Sequence, residues 1–336
     1  MSAKSNSVQS TQGLRVLITG GLGFIGSNLV HRYLALGAQV TVYDCLDTHA
    51  GGRLFNIEDV KDDIKLRVND ILNFERLCEE VREQDLIINC AASTSHAHSM
   101  KEPWFDQDVN SKGMINLLEA IRRFNPQARF IHLGTTTQLG PLQYQPADEK
   151  HPEFPTDIYS ANKCVAEKYA LIYTKAHQID ATILRVSNVF GPRASIHSPE
   201  FTFNNYFIGL ALQNKAITVY GEGKQMRNVL FVDDVVNALT LIAQEPKSRG
   251  EVYLLAGDKH YSVLDIAHHT VKHIGSGEVA NIPWPEERRK IDVGDAIISN
   301  GKLKSLIDWE IEDDLESGLI KTSDYYADCL EKYLSL

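Results

Sequence analysis

Tyr159 and Lys163 stand four residues apart in Tyr-Ser-Ala-Asn-Lys, a spacing that puts both on one face of a helix. An ammonium beside a phenol favours the phenolate and draws a tyrosine down from its usual pKa of ~10. Such a tyrosine can take a hydroxyl proton while hydride leaves the carbon that bears it. Upstream, Gly134-Thr135-Thr136-Thr137-Gln138-Leu139-Gly140 follows an apolar run. There Thr135 could hydrogen-bond the reacting oxygen, and a β-prone strand end is the competing reading of the three threonines. A second chemical unit is Gly20-Gly21-Leu22-Gly23-Phe24-Ile25-Gly26. Glycines at 20, 23 and 26 permit a tight turn, close approach of the backbone to a pyrophosphate, and close helix packing. The amides from Gly23 through Phe24 and Ile25 to Gly26 would then face the phosphate charge. Asp44 closes the next apolar run, placed to accept from a ribose diol. A carboxylate there repels a 2′-phosphate and favours NAD over NADP, with Arg53 the nearby cation that weighs the other way. Asp70-Ile71 suits the adenine end, a surface turn being the alternative.

These groups need a scaffold that brings them together. Leu14–Thr19, Ala38–Asp44, Ile64–Asp70, Asp85–Ala91, Ala128–Gly134 and Ala181–Val189 read as buried parallel strands, short and apolar. Helical patterns lie between them, and Gly37 marks the end of the first. Strand and helix in alternation predict an α/β chain with a Rossmann-type doubly wound parallel sheet. After Gly191 the pattern breaks, with prolines at 192 and 199 and short strands around a loop. Val252–Gly257 is an apolar run that could rejoin the sheet. The expected organisation is a disordered lead-in over residues 1–12, a dinucleotide-binding domain over 13–190 with a returning strand near 252–257, and a smaller substrate lobe built mainly from 191–336. A cleft between the two is the expected ligand site.

Composition narrows the function classes. The 336 residues carry 34 Lys and Arg against 44 Asp and Glu, a formal net charge of −10. An acidic chain argues against a duplex-DNA partner, which needs a basic footprint. No stretch approaches the roughly 20 apolar residues of a membrane span, and the polar N-terminus has no secretory h-region. Five scattered cysteines without a CxxC read as free thiols in a cytoplasmic protein.

Taken together, the loop TGGLGFIG, Asp44, Thr135, Tyr159 and Lys163 resemble the extended short-chain dehydrogenase/reductase family, the nucleotide-sugar epimerases and dehydratases. The resemblance runs over nearly the whole chain from about residue 14. It implies tightly held NAD, a nucleotide-diphosphate sugar as substrate, and Tyr159, Lys163 and Thr135 as the catalytic set. Ala91-Ala92 with Ser95 and Ser99 resembles the stretch that lies along the nicotinamide and the sugar, with Thr136 nearby. Asn110 fits the family's structural asparagine. Arg185, Asn188, Gly191, Pro192 and Arg193 resemble the RxxNxxGPR segment, whose Asn contacts the substrate diphosphate. Gly221 to Arg227 resembles the GxGxQxR loop, whose Arg grips the same group, followed by Val232-Asp233-Asp234-Val235. Arg289 fits the later arginine of the nucleotide pocket, and Trp309 with Leu315 to Leu319 resembles the family ending. Helices over Asn110–Phe124 and Lys163–His177 resemble the pair through which members dimerise, implying a homodimer, with Ile115, Leu118, Val165 and Tyr169 as core residues the alternative.

The departures bear on the reaction. Family 4,6-dehydratases carry Asp-Glu directly after the catalytic Thr, whereas this chain has Thr136 and Thr137. Neither hydroxyl does carboxylate work near neutral pH, so dehydration is disfavoured and epimerisation at C4 is expected, with a keto-sugar reductase, a dehydratase using other acids, or a C2 epimerase as alternatives. Leu139, Asn89-Cys90 and His98 depart from common family residues. His96 and His98 are read as polar lining of the sugar site, with an acid–base role as the alternative. His268, His269 and His273 are read as a solvated helix face and not a metal site. A non-catalytic NAD-binding protein is the reading from another class.

Overall fold

The computed structural model describes residues 11–47 and 51–334. The lead-in expected over 1–12 therefore falls outside the described residues except for Thr11, whose hydroxyl donates to Leu36 O at 2.7 Å, and Gln12. β1 (Arg15–Thr19) buries Val16, Leu17 and Ile18 completely, so both of its faces are covered. Such a strand is stable only inside a sheet with helices on either side. It pairs in parallel with β2 (Gln39–Asp44) on one side and with β4 (Leu86–Asn89) on the other. β3 (Lys65–Val68) extends the sheet beyond β2, and β5 (Arg129–Thr135) and β6 (Asp180–Val186) extend it beyond β4.

The sixth apolar run does not form one strand. It breaks at Ser187, whose N–H bonds Leu255 O, and β7 (Asn188–Phe190) leaves for another sheet. That break frees the stretch from Val186 to Val189 to face the ligand cavity. β8 (Ala216–Tyr220) and β9 (Met226–Phe231) flank the Gly221–Gln225 loop. β10 (Val252–Leu255) returns to pair with β6, giving a seven-stranded order β10-β6-β5-β4-β1-β2-β3. β11 (His260–Ser262) joins β9 and β7, and β12 (Glu278–Ile282) pairs with β8.

Helices cover both faces. α1 (Phe24–Ala35) packs on one face through Leu29, Val30 and Tyr33. α2 (Phe74–Glu80) and α5 (Gly113–Phe124) cover the other, with α3 (His96–Lys101) and α4 (Pro103–Gln107) leading into α5. α6 (Ile158–His177) begins at the N-cap Asp157, whose carboxylate accepts Ser160 N at 2.8 Å. A side-chain acceptor there satisfies an otherwise orphaned N–H. The cap fixes where α6 starts, and so fixes the height of Tyr159 and Lys163 above the strand ends. The tail forms two helices, Leu315–Ala327 and Leu330–Leu334.

Candidate active site

The strand order reverses between β1 and β4, and in open α/β sheets ligands bind beyond the strand ends at that point. A cavity of about 490 Å³ lies there. Its wall includes Gly20, Gly23, Phe24, Ile25 and Gly26 after β1, with Asp44, Asp70 and Ile71 after β2 and β3. Ala91, Ala92, Thr135 and Thr136 continue it after β4 and β5, and Tyr159 and Lys163 meet it from α6. Asn188 on β7 and Arg227 on β9 complete it.

The dinucleotide end is built around close contacts. The loops after β1 and β4 touch, so a Cβ on Gly20 would lie 2.6 Å from Ala91 N, and φ there is +68°. A Cβ on Gly26 would lie 2.1 Å from Gly20 O. Only glycine fits either place. Gly23 caps α1 in extended conformation with no side-chain acceptor, so the first N–H groups of α1 are left for an anion. Asp44 is buried and accepts from Leu22 N at 3.0 Å and Leu46 N at 2.9 Å. Burial pushes its carboxyl above the usual range, and those two N–H groups oppose the shift. Arg53 is not part of the wall and is committed elsewhere, donating to Lys332 O at 3.0 Å and lying 3.2 Å from His197 Nδ1. An uncapped helix start, a carboxylate at the end of β2 and a buried lysine fit a dinucleotide with a free ribose diol.

At the reacting end, Tyr159 is buried on the first turn of α6 and Lys163 one turn deeper. Lys163 Nζ donates to Leu133 O at 2.6 Å, and burial draws the ammonium down to about 8. The Tyr159 phenol is pushed up by burial first and then by Asp157 and Asp106, while a hydrogen bond with Thr135 pulls the other way. The expected lowering of Tyr159 by Lys163 is therefore corrected. The lysine points at the β5 carbonyl beneath the phenol, and Thr135 is the group that favours the phenolate. Thr135 is held by Gln138, whose Oε1 accepts Thr135 N at 3.0 Å. Its Oγ1 lies 3.0 Å from Thr137 Oγ1, which accepts from Ser160 Oγ at 2.9 Å.

The sugar end departs further from expectation. Asn188 Nδ2 donates to Asn228 O at 3.1 Å, and Arg227 Nη2 donates to Asp292 at 2.8 Å. Arg289 is exposed and absent from the wall; Arg288 takes its place, 3.1 Å from Glu200 Oε1. Successive residues of a helix point about 100° apart, so the short helix Glu286–Lys290 turns only one of the pair inward. Ser95 is also off the wall: it caps α3 by accepting His98 N at 3.0 Å and donates to Glu200. Arg185 of the RxxN segment lies beneath the site in a buried ion cluster with Glu167 and Glu153. Asn110 Nδ2 donates to Ser93 O at 3.0 Å and so supports the loop after β4. The sequence reading did not single out Glu200, Arg288, or Tyr220 with Trp284, whose rings are 5.3 Å apart on the wall. It also missed Asp157, although an Asp just ahead of a helical pattern is a legible N-cap signal.

Residues 16–256 match the NAD dependent epimerase/dehydratase family. The chain is 31% identical over 328 residues to UDP-glucuronic acid decarboxylase 1 of Xenopus tropicalis, covering 94% of this chain and 73% of that protein. It is 30% identical over 304 residues to a putative UDP-glucose 4-epimerase of Methanocaldococcus jannaschii, covering 90% and 95%. Among solved structures, UDP-glucose 4-epimerase of Thermus thermophilus in complex with NAD superposes with a TM-score of 0.83 at 27% identity, over 94% of this chain and 100% of that one. These relatives share the scaffold and differ in reaction, so the comparisons fix the enzyme class and its cofactor, NAD, but not the chemistry done on the sugar. The chain belongs to the NAD-dependent epimerase/dehydratase family.

Proposed function

We propose that this enzyme epimerises a nucleotide-diphosphate sugar at C4 through a transient 4-keto sugar. The observation that carries the reading is the wall around Tyr159: Thr135 is its hydrogen-bonding neighbour, and the two residues after Thr135 are hydroxyls. NAD, when bound, would supply the hydride acceptor and donor that such chemistry needs. The protein's own part is proton transfer and orientation. Tyr159 takes the C4 hydroxyl proton and gives it back, and Thr135 donates to the C4 oxygen as charge builds there. Lys163, already bonded to the β5 carbonyl, would hold the cofactor ribose. The amides at Gly23 to Gly26 and the Asp44 carboxylate would hold the remainder of the dinucleotide, while Asn188, Arg227 and Arg288 would meet the sugar diphosphate.

The enzyme is further read as a cytoplasmic homodimer. Its five cysteines are free, which suits a reducing compartment. Val165 and Ile172 are exposed on α6, and Trp104 on α4 is 79% exposed; joined into one patch, such groups would mark a contact face. Incubation with UDP-, GDP-, CDP- and dTDP-sugars, followed by NMR, tests the reaction. A C4 epimer formed without added NAD(P)H is the expected result. Recovery of a 4-keto-6-deoxy product, or stoichiometric consumption of added NAD(P)H, overturns it in favour of a dehydratase or a reductase.

A further inference from the structure

We propose that His96 is a second acid–base group of this site, positioned by Asp157, and that it moves a proton at the carbon next to a sugar ketone. The proposal rests on the nucleotide-sugar reading of the cavity. His96 opens α3 and Asp157 opens α6, and the fold sets His96 Nδ1 2.7 Å from Asp157 Oδ2. The carboxylate is 3% exposed and fixed from behind by Ser160 N at 2.8 Å and Ser160 Oγ at 3.2 Å. The imidazole is 34% exposed and belongs to the cavity wall. Its ring meets the Tyr159 ring edge-on, 5.0 Å between centroids and 84° between planes. With Nδ1 committed to the carboxylate, Nε2 is the nitrogen left to exchange a proton with a ligand in the cavity. A carboxylate that orients an imidazole in this way selects its tautomer and stabilises its protonated form.

Capping α6 requires only the bond from Ser160 N, which Oδ1 accepts. The other oxygen, Oδ2, reaches His96. Burial pushes the Asp157 carboxyl up, but the hydrogen bond and charge of His96, with Ser160, hold it below the usual range. The pair is therefore a charged carboxylate against an imidazole, beside a phenol and next to a Thr135–Thr137 segment that has no acid of its own.

The step balances without an added reagent. A ketone acidifies the C–H bonds on the adjoining carbons. The His96 Nε2 lone pair takes one such proton, the C–H electron pair becomes the carbon–carbon double bond of an enolate, and the carbonyl pair moves onto oxygen. Thr135 and Tyr159 donate to that oxygen. In reverse, the imidazolium returns a proton to carbon, and solvent exchange at Nε2 in between labels the sugar.

The test supplies the ketone ready-made. The full-length protein is incubated with UDP- or dTDP-4-keto-6-deoxyglucose in deuterium oxide, and the NMR signals of the protons flanking the ketone are followed. Exchange at least about 100-fold faster than in buffer is expected, with His96→Gln losing most of that gain. Asp157→Asn keeps the helix cap but removes the charge. It should slow exchange tenfold or more and move the His96 proton from Nδ1 to Nε2, read by nitrogen NMR. Wild-type exchange no faster than buffer, full exchange in His96→Gln, or an unmoved tautomer in Asp157→Asn each overturns the proposal. Because exchange needs no hydride transfer, exchange without epimerisation overturns the C4 reading alone. Epimerisation without exchange overturns the role of His96 alone.

Discussion

Glu167→Ala tests whether the ion cluster beneath Thr135 holds up both the fold and the reacting geometry. Glu167 is fully buried on α6 and Arg185 on β6 is 3% exposed. Arg185 Nε and Nη2 each lie 2.7 Å from a Glu167 oxygen, and Lys168 Nζ lies 2.9 Å away. Glu153 contacts Arg185 and lies 2.7 Å from Lys168 Nζ, so two carboxylates face two cations. Removing Glu167 leaves the cluster with one positive charge in excess and strips the buried Arg185 of one of its two carboxylates. Breaking a buried pair costs about 3–5 kcal/mol. Because Glu153 remains and Lys168 is half exposed, the low end, about 3 kcal/mol, is expected. Burial pushes the Glu167 carboxyl up, but Arg185 and Lys168 outweigh it and hold the group below its ordinary value. A depressed carboxylate stabilises the fold above its unfolded pKa of about 4.3, and that contribution is lost as pH falls through the folded value. Urea unfolding should therefore show a gap of about 3 kcal/mol at neutral pH that shrinks in acid. Gln138 Nε2 donates to Glu167 at 3.1 Å while Gln138 Oε1 accepts Thr135 N. Loss of that anchor should also lower turnover about tenfold, some 1.4 kcal/mol in the barrier. A neutral-pH gap under about 1 kcal/mol, below even the reduced expectation for a broken buried pair, or a gap that widens in acid, would refute the reasoning.

Three further outcomes follow from the site. Tyr159→Phe should abolish turnover while leaving NAD binding close to wild type by calorimetry, since the phenol acts on the sugar; retained turnover removes it from the mechanism. Lys163 is charged below about 8 and neutral above it. NAD affinity should therefore weaken as pH rises through that value, and Lys163→Met should bind weakly with little pH dependence between neutrality and mild alkali. Gly26→Ala would set a Cβ 2.1 Å from Gly20 O. Fluorescence titration should show at least a tenfold loss of NAD affinity, and wild-type binding would mean that the loop tolerates a shift its contacts forbid.

The parts of the fold legible in the sequence were those that local patterns encode. Apolar runs of strand length bounded by glycine or a charged residue marked β1, β2, β4 and β5, because strands buried on both faces must be apolar throughout. The glycine loop was legible because no larger residue fits where β1 and β4 send their loops together. Long-range geometry was not legible. His96 and Asp157 are 61 residues apart and meet only because α3 and α6 both start at the same end of the sheet. Ser187 ends β6 although its neighbours read as one continuous run. Lys163 turned to Leu133 O instead of the phenol because one helical turn carries it below Tyr159 to the end of β5. Family position pointed to Arg289 where the rotation of a five-residue helix presents Arg288.

The net charge of −10 poses a question for an enzyme proposed to hold two diphosphates, and the answer differs at the two ends of the cavity. At the cofactor end the charge would be met by helix amides, which carry no formal charge and need no counter-ion. At the sugar end both guanidinium groups on the wall are already paired, Arg227 with Asp292 at 2.8 Å and Arg288 with Glu200 at 3.1 Å. A sugar diphosphate using these arginines would exchange with carboxylates instead of adding to bare positive charge. Arg227, 14% exposed, tolerates such exchange better than vacancy, because an unpaired charge of low exposure is costly, whereas Arg288 at 32% is partly met by solvent. The acidic balance is thus consistent with anion binding: at one end backbone dipoles would meet the charge, and at the other the excess acid supplies the counter-ions a ligand would replace.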